Sequence, residues 1–112
     1  MRFHDVVTVV RAPTVVGPDG AEGIDWTRPE SEWILTDYAG ELQPISSTED
    51  IVGQERTEST HKAFLPADAD IEATDRVRFL AKDYWVDGQP ERHRRGGRNH
   101  HIEAFCFRVT GG

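Results

Sequence analysis

Cysteine and methionine each occur once in these 112 residues, and no long apolar run interrupts them. With Cys106 alone no internal disulfide can form. Its place inside an apolar stretch favours a reduced, buried thiol and a cytoplasmic setting over a reactive one. Nothing approaches the roughly 18 consecutive apolar residues of a spanning helix, and Met1-Arg2-Phe3-His4-Asp5 lacks the apolar core of a signal peptide. Neither export nor a membrane partner is therefore expected. Internal repeats and low-complexity tracts are also missing. Ser46, Ser47 and Ser59 lie in no Gly-x-Ser-x-Gly elbow, and Gly96-Gly97 is flanked by arginine rather than set between a strand and a helix. An enzyme is not expected, and no cofactor is.

What is present suits one small domain spanning 1–112, with 37% hydrophobic and 29% charged residues. That is enough apolar side chain for a modest core, with a surface that must be hydrated or covered by a partner. The net charge of -7 is unevenly spread. Arg92, Arg94, Arg95 and Arg98 face one acid, Glu91, in a segment of formal charge +3, which leaves -10 on the remainder. An acidic body argues against simple wrapping of nucleic acid, where Lys and Arg release counterions from phosphates. It suits subunits that meet positive face to negative face.

The local patterns are those of a β protein. Val6-Val7-Thr8-Val9-Val10 is β-branched and bounded by Pro13, as a strand should be. From Pro13 to Glu32, Gly17-Pro18-Asp19-Gly20, Gly23 and Pro29 predict a long loop or loose hairpin carrying Trp26. Trp33 to Leu42 reads as a strand closed by Pro44. Ser46-Ser47-Thr48-Glu49 matches a capping box and predicts a short helix to about Arg56, weakened by Gly53. Beyond it Thr60–Pro66 reads as a strand, followed by a Pro/Asp-rich turn. A tight hairpin is expected to join Arg76-Val77-Arg78-Phe79-Leu80 to Tyr84-Trp85-Val86. Ile102 to Val109 is apolar on both faces, the pattern of a strand sandwiched between a barrel interior and a neighbour. Five or six short strands and one short helix point to a small antiparallel barrel or sandwich.

Candidate chemistry is thin. His93, His100, His101 and Cys106 offer zinc-type donors, but adjacent strand residues point to opposite faces and no paired-cysteine motif exists, so a solvated loop is the expectation. A metal-dependent nuclease built on His93 and His100 lacks its helix. Asp68, Asp70, Glu72 and Asp75 lack the glycine and closing glutamate of a calcium loop, and a turn with solvated carboxylates is expected. Trp26, Trp33 and Trp85 are expected in packing or at a subunit contact, with Trp85 in the core. A nucleic-acid-binding barrel is the alternative function, with the arginine cluster as footprint and Tyr84 or Trp85 as a stacking platform.

The order of motifs resembles a known family. Gly40-Glu41-Leu42-Gln43-Pro44-Ile45-Ser46, then Glu49, Gln54, Arg56-Thr57-Glu58-Ser59-Thr60-His61 and Phe64-Leu65-Pro66 are followed by Asp70-Ile71-Glu72-Ala73-Thr74-Asp75-Arg76-Val77, Tyr84-Trp85-Val86 and His101-Ile102-Glu103. This series resembles the head-closure proteins of long-tailed bacteriophages, also called head-to-tail stoppers, in their actinobacterial form, over Trp26 to Val109. The resemblance implies a mainly β fold, a small antiparallel β-barrel with long loops. It implies a virion-neck protein assembled in the host cytoplasm as a homo-oligomeric ring of six or twelve copies. An adaptor or portal ring would lie above it, a tail terminator or tail tube below, and packaged DNA in the channel. It also implies a plug or interface loop. The candidates are Ser46, Ser47, Thr48, Glu49, Asp50, Gln54 and Arg56 in one segment, and Gly17, Asp19, Gly20, Glu22 and Trp26 in another. The basic tip at Arg92, Arg94, Arg95 and Arg98 departs from the family pattern and is read as a partner-binding surface.

Overall fold

The computed structural model describes residues 5–45, 60–95 and 98–109. Nine strands run along it: β1 Asp5–Arg11, β2 Thr14–Val16, β3 Glu22–Ile24, β4 Ile34–Pro44, β5 His61–Pro66, β6 Arg76–Phe79, β7 Lys82–Val86, β8 Glu91–Arg95 and β9 Arg98–Arg108. The helical element among the described residues is a single 3-10 turn, Glu30–Glu32. The short helix expected from Ser46 to Arg56 lies outside the described residues.

Six strands close on themselves in the order β5-β4-β1-β6-β7-β9, with β9 returning to β5, and every pairing is antiparallel. Closure satisfies the backbone donors and acceptors that an open sheet would leave along two edges. Strand β9 makes this possible because its length serves three partners. Residues from Arg98 to Glu103 pair with β8, His101 to Cys106 with β5, and Cys106 to Arg108 with β7. Hairpin β8–β9 thus extends from the barrel wall, and β2–β3 forms a separate two-stranded arm.

Side-chain alternation fills the barrel. Val7 and Val9 of β1, Ala63 and Leu65 of β5, Val77 of β6, Tyr84 and Val86 of β7, and Ile102, Ala104 and Cys106 of β9 join Leu42 and Ile71 in one buried cluster. Each fully buried Leu, Ile or Val contributes about 1.5–3 kcal/mol. Ala63 faces Ala104 across β5 and β9, both essentially buried, so two methyl groups rather than larger chains meet where the wall closes. The second face of β9, expected to be apolar, is so only towards its C-terminal end, since Glu103 shares that face. Phe105 stands outward beneath the Lys62 ammonium, 4.8 Å from the ring centroid, and Phe107 is paired with Trp85.

The tight hairpin expected between β6 and β7 is present. Phe79 pairs with Lys82, which leaves Leu80 and Ala81 as a two-residue turn, with φ of 51° and 65°. Positive φ at both central residues is the twist-matched geometry of such turns.

Candidate functional site

Three features stand on the outside of the barrel, and each is fixed by residues distant in sequence. The first is an ion cluster at the junction of β1 with the turn leading into β6. Asp75 is completely buried, and the Arg11 guanidinium meets it with Nε 2.9 Å from Oδ1 and Nη2 2.7 Å from Oδ2. The backbone N–H of Glu72 donates to the same carboxylate at 2.9 Å. Arg11 also reaches Asp70 through Nη1 and Nη2 at 3.0 and 3.1 Å. Hydrogen bonds to Asp75 and then to Asp70 hold the guanidinium charged well above its ordinary pKa, and the Arg11 fork keeps the Asp70 carboxyl below the usual range. The solvated turn expected here is corrected for Asp75: the carboxylates form a receptor for one arginine, which makes the burial of charge tolerable.

The second feature is an aromatic clasp. Trp26 packs edge-on against Trp33 and Trp85, with centroids 5.0 and 5.3 Å apart. The Arg76 guanidinium carbon lies 4.3 Å from the Trp26 and Trp85 rings and 5.3 Å from Trp33. Such stacking on a desolvated guanidinium is worth about 2 kcal/mol. An ion pair of 2.7 Å between Arg78 and Glu30 adds a second tie. The clasp secures the segment between β3 and β4 to the barrel wall at β6–β7. Trp85 therefore does not enter the core, because Tyr84 and Val86 take the inward positions of β7 and alternation turns Trp85 out. Neither residue offers a base-stacking platform, since Tyr84 is 6% exposed and Trp85 is occupied by the clasp.

Of the residues expected in a functional arm, Gly17, Asp19 and Gly20 form the β2–β3 turn. Gly17 N donates to the Ala21 carbonyl at 2.8 Å, Asp19 Oδ1 accepts from Ala21 N at 3.0 Å, and Gly20 has φ of 83°. Glu22 is exposed on β3 opposite Val16. Trp26 belongs to the clasp, away from that turn in function. Ser46, Ser47, Thr48, Glu49, Asp50, Gln54 and Arg56 lie outside the described residues. The two ends of their segment are held together, however, because Ile45 N donates to the Thr60 carbonyl at 3.0 Å, and Thr60 N to the Cys106 carbonyl at 2.8 Å. Ile45 and Thr60 thus stand at one point beside β9.

The third feature is the β8–β9 hairpin. Its register pairs Arg92 with Ile102, His93 with His101, Arg94 with Asn99 and Arg95 with Arg98, with a bulge between His93 and Arg94. The basic residues thus sit on the two strands of one hairpin, and Arg92 is exposed, its charge felt by Asp70. Below them on the outer face stand His93, His101 and Glu103. His101 Nε2 lies 2.7 Å from Glu103 Oε2, and Lys62 Nζ lies 2.7 Å from Glu103 Oε1. Burial pushes the Glu103 carboxyl up, but the hydrogen bonds from Lys62 and His101 outweigh it and leave the group below its usual range. The solvated loop expected around His93, His100 and His101 is instead a paired hairpin. Cys106 points into the barrel, where burial pushes its thiol up to about 12. His100 and His101, expected to diverge, have their Nδ1 atoms 2.7 Å apart. Glu103 was not singled out beside His93, although the i, i+2 spacing of His101 and Glu103 on a strand is a signal for a shared face.

No family model matches the sequence, and no curated protein matches it either. Among solved structures, the fold is similar to that of protein SF1141 from Shigella flexneri 2a, determined in solution. The TM-score is 0.65 and the identity 22%, over 96% of this chain and 93% of that one. A more distant neighbour is xkdH, a protein of the phage-like element PBSX of Bacillus subtilis. It has a TM-score of 0.37 and 16% identity over 93% of this chain and 90% of that one. At these identities the likeness to the Shigella protein is one of fold.

Proposed function

We propose that this chain is a head-to-tail stopper: copies form a ring below the portal and adaptor of a long-tailed phage, close the DNA exit channel after packaging, and present the tail attachment surface. The observation that supports the reading is where three of the motifs that resemble head-closure proteins fall. Gly40 to Ile45, His61 to Pro66 and His101 to Glu103 lie on or at the ends of β4, β5 and β9, the three strands whose pairing closes the barrel. Ile45 and Thr60, which flank residues 46–59, are joined by a hydrogen bond on that seam. A closed wall with both flanks of that segment at one point suits a ring in which identical segments meet on an axis. Contacts that are weak singly become strong by multiplicity.

In this reading the work is mechanical. The acidic body lets DNA slide without adhering, the segment 46–59 retains it under pressure, and tail docking shifts the plug to its open state. The basic hairpin, carrying Arg92, Arg94, Arg95 and Arg98, docks onto an acidic neighbour. Disrupting the gene in the phage that encodes it is expected to give packed heads that lose DNA, together with free, unattached tails. Normal numbers of tailed, DNA-filled particles would overturn the reading. Replacing the four arginines by alanine is expected to leave the barrel folded and abolish ring attachment, and unchanged attachment would remove the docking role.

A further inference from the structure

The outer face of the β8–β9 hairpin brings two imidazoles and a carboxylate to one point. His93 is the cross-strand partner of His101, so the two rings leave the sheet side by side, parallel to within 2° with centroids 4.8 Å apart. Glu103 stands two residues beyond His101 and shares its face. From Glu103 Oε2 the distance is 2.7 Å to His101 Nε2 and 3.3 Å to His93 Nε2. One donor atom from each residue lies within 4.8 Å of the other two. The His101 and Glu103 side chains are only 11% and 13% exposed.

His93 Nε2 is buried and, despite its approach to Glu103, makes no hydrogen bond. A buried polar atom without a partner costs about 1–3 kcal/mol, and a ligand seated between the three donors would supply the missing bond. Two further polar atoms of the set are already engaged. His101 Nδ1 is 2.7 Å from His100 Nδ1, and Glu103 Oε1 is held by Lys62, whose ammonium also rests over the Phe105 ring. Such outer contacts orient ligands by fixing the atom that does not bind. His101 Nε2 and Glu103 Oε2, hydrogen-bonded to each other at 2.7 Å, stand beside His93 Nε2, and a bound cation would take the place of the proton between them.

We propose that His93, His101 and Glu103 bind one zinc ion that staples β8 to β9. Two imidazole nitrogens and one carboxylate oxygen suit zinc, whereas calcium and magnesium favour all-oxygen shells. Three protein ligands leave the fourth tetrahedral position for water or for a donor from another molecule. Among the described residues strand β8 has β9 as its one sheet partner, so the ion fixes how the basic hairpin is presented. The inference does not rest on the stopper reading.

The test uses the untagged full chain, stripped with a chelator and titrated with zinc by calorimetry and against a chromogenic competitor. Cobalt serves as a spectroscopic substitute. One zinc per chain is expected, with the visible bands of tetrahedral cobalt and a thermal midpoint raised by zinc. His93→Ala and Glu103→Gln are expected to weaken binding by more than the roughly 10–100-fold that losing an outer-shell partner costs. His61→Ala, on β5 against Tyr84, is expected to change nothing. Glu103→Gln is nearly isosteric and His93 is 43% exposed, so circular dichroism should show both variants folded, and either one suffices. No stoichiometric uptake, or uptake equal in wild type and Glu103→Gln, overturns the site.

Discussion

Arg11 and Asp75, 64 positions apart, meet as fork and carboxylate, and the aspartate has no contact with solvent. The pair joins the end of β1 to the turn that starts β6, so it locks a junction that strand pairing alone covers only from Thr8 to Val10. Breaking a buried pair leaves one charge uncompensated, which costs about 3–5 kcal/mol, whereas the intact pair itself contributes modestly. Asp75→Ala is therefore expected to lower unfolding free energy by about 3 kcal/mol with an unchanged urea m-value. Arg11→Lys should recover only part of the wild-type value, since an ammonium cannot make the two-pronged bond. A loss below about 1 kcal/mol for Asp75→Ala would mean that the carboxylate is not held as described.

The strands with a strong local pattern were legible: β1 from its β-branched run, β4 from its aromatic and aliphatic residues before Pro44, and β9 from alternation. Strand β8 was not, because Glu91–Arg95 lacks β-type composition and is extended through pairing with β9. Alternation in Tyr84-Trp85-Val86 says that Trp85 opposes its neighbours, but not which face is inside. Trp26 and Trp33, which arrive from the segment between β3 and β4, hold Trp85 on the outer face. The burial of Asp75 depends likewise on Arg11, and the meeting of His93 with His101 depends on a register that a bulge resets one residue later. Interactions over long sequence separations are what single-sequence patterns omit.

The β6–β7 turn carries removable strain. A non-glycine residue in the left-handed region costs about 1–2 kcal/mol, and Leu80 and Ala81 both occupy it. Leu80 is 79% exposed, so little packing is lost on replacing it. Leu80→Asn with Ala81→Gly supplies the residues such turns favour, less about 0.4–1 kcal/mol for the added freedom of the unfolded chain. A net gain of about 1 kcal/mol is expected in urea unfolding, and a loss would show that the turn is not of this type.

Gly40 is required by proximity rather than by dihedral angle. A Cβ built there would collide with the Phe64 carbonyl oxygen and stand within 3.3 Å of the Val7 and Leu65 side chains. The carbonyl belongs to β5 backbone and cannot yield without disturbing the β4–β5 ladder. Overpacking of this kind costs about 1–3 kcal/mol. Gly40→Ala is expected to fall in that range, with faster amide hydrogen exchange concentrated on β4 and β5. Gly23→Ala, whose Cβ meets nothing within 4 Å, should be close to neutral by comparison.

Cys106 makes the fold sensitive to alkali. Burial, reinforced by the Asp87 charge and opposed by the Ala63 backbone, pushes its thiol up to about 12, while an unfolded cysteine ionises near 8.5. Below about pH 8.5 the thiol is protonated in both states and contributes no pH dependence. Between about 8.5 and 12 the unfolded chain releases this proton and the folded one retains it, so stability falls as pH rises, at up to about 1.4 kcal/mol per unit. The difference in unfolding free energy between wild type and Cys106→Ala is therefore expected to shrink from pH 8 to pH 10.5. Over the same range a thiol reagent should label Cys106 only as fast as the barrel opens. A pH-independent difference, or rapid labelling of the folded chain, would place the thiol outside the sealed core.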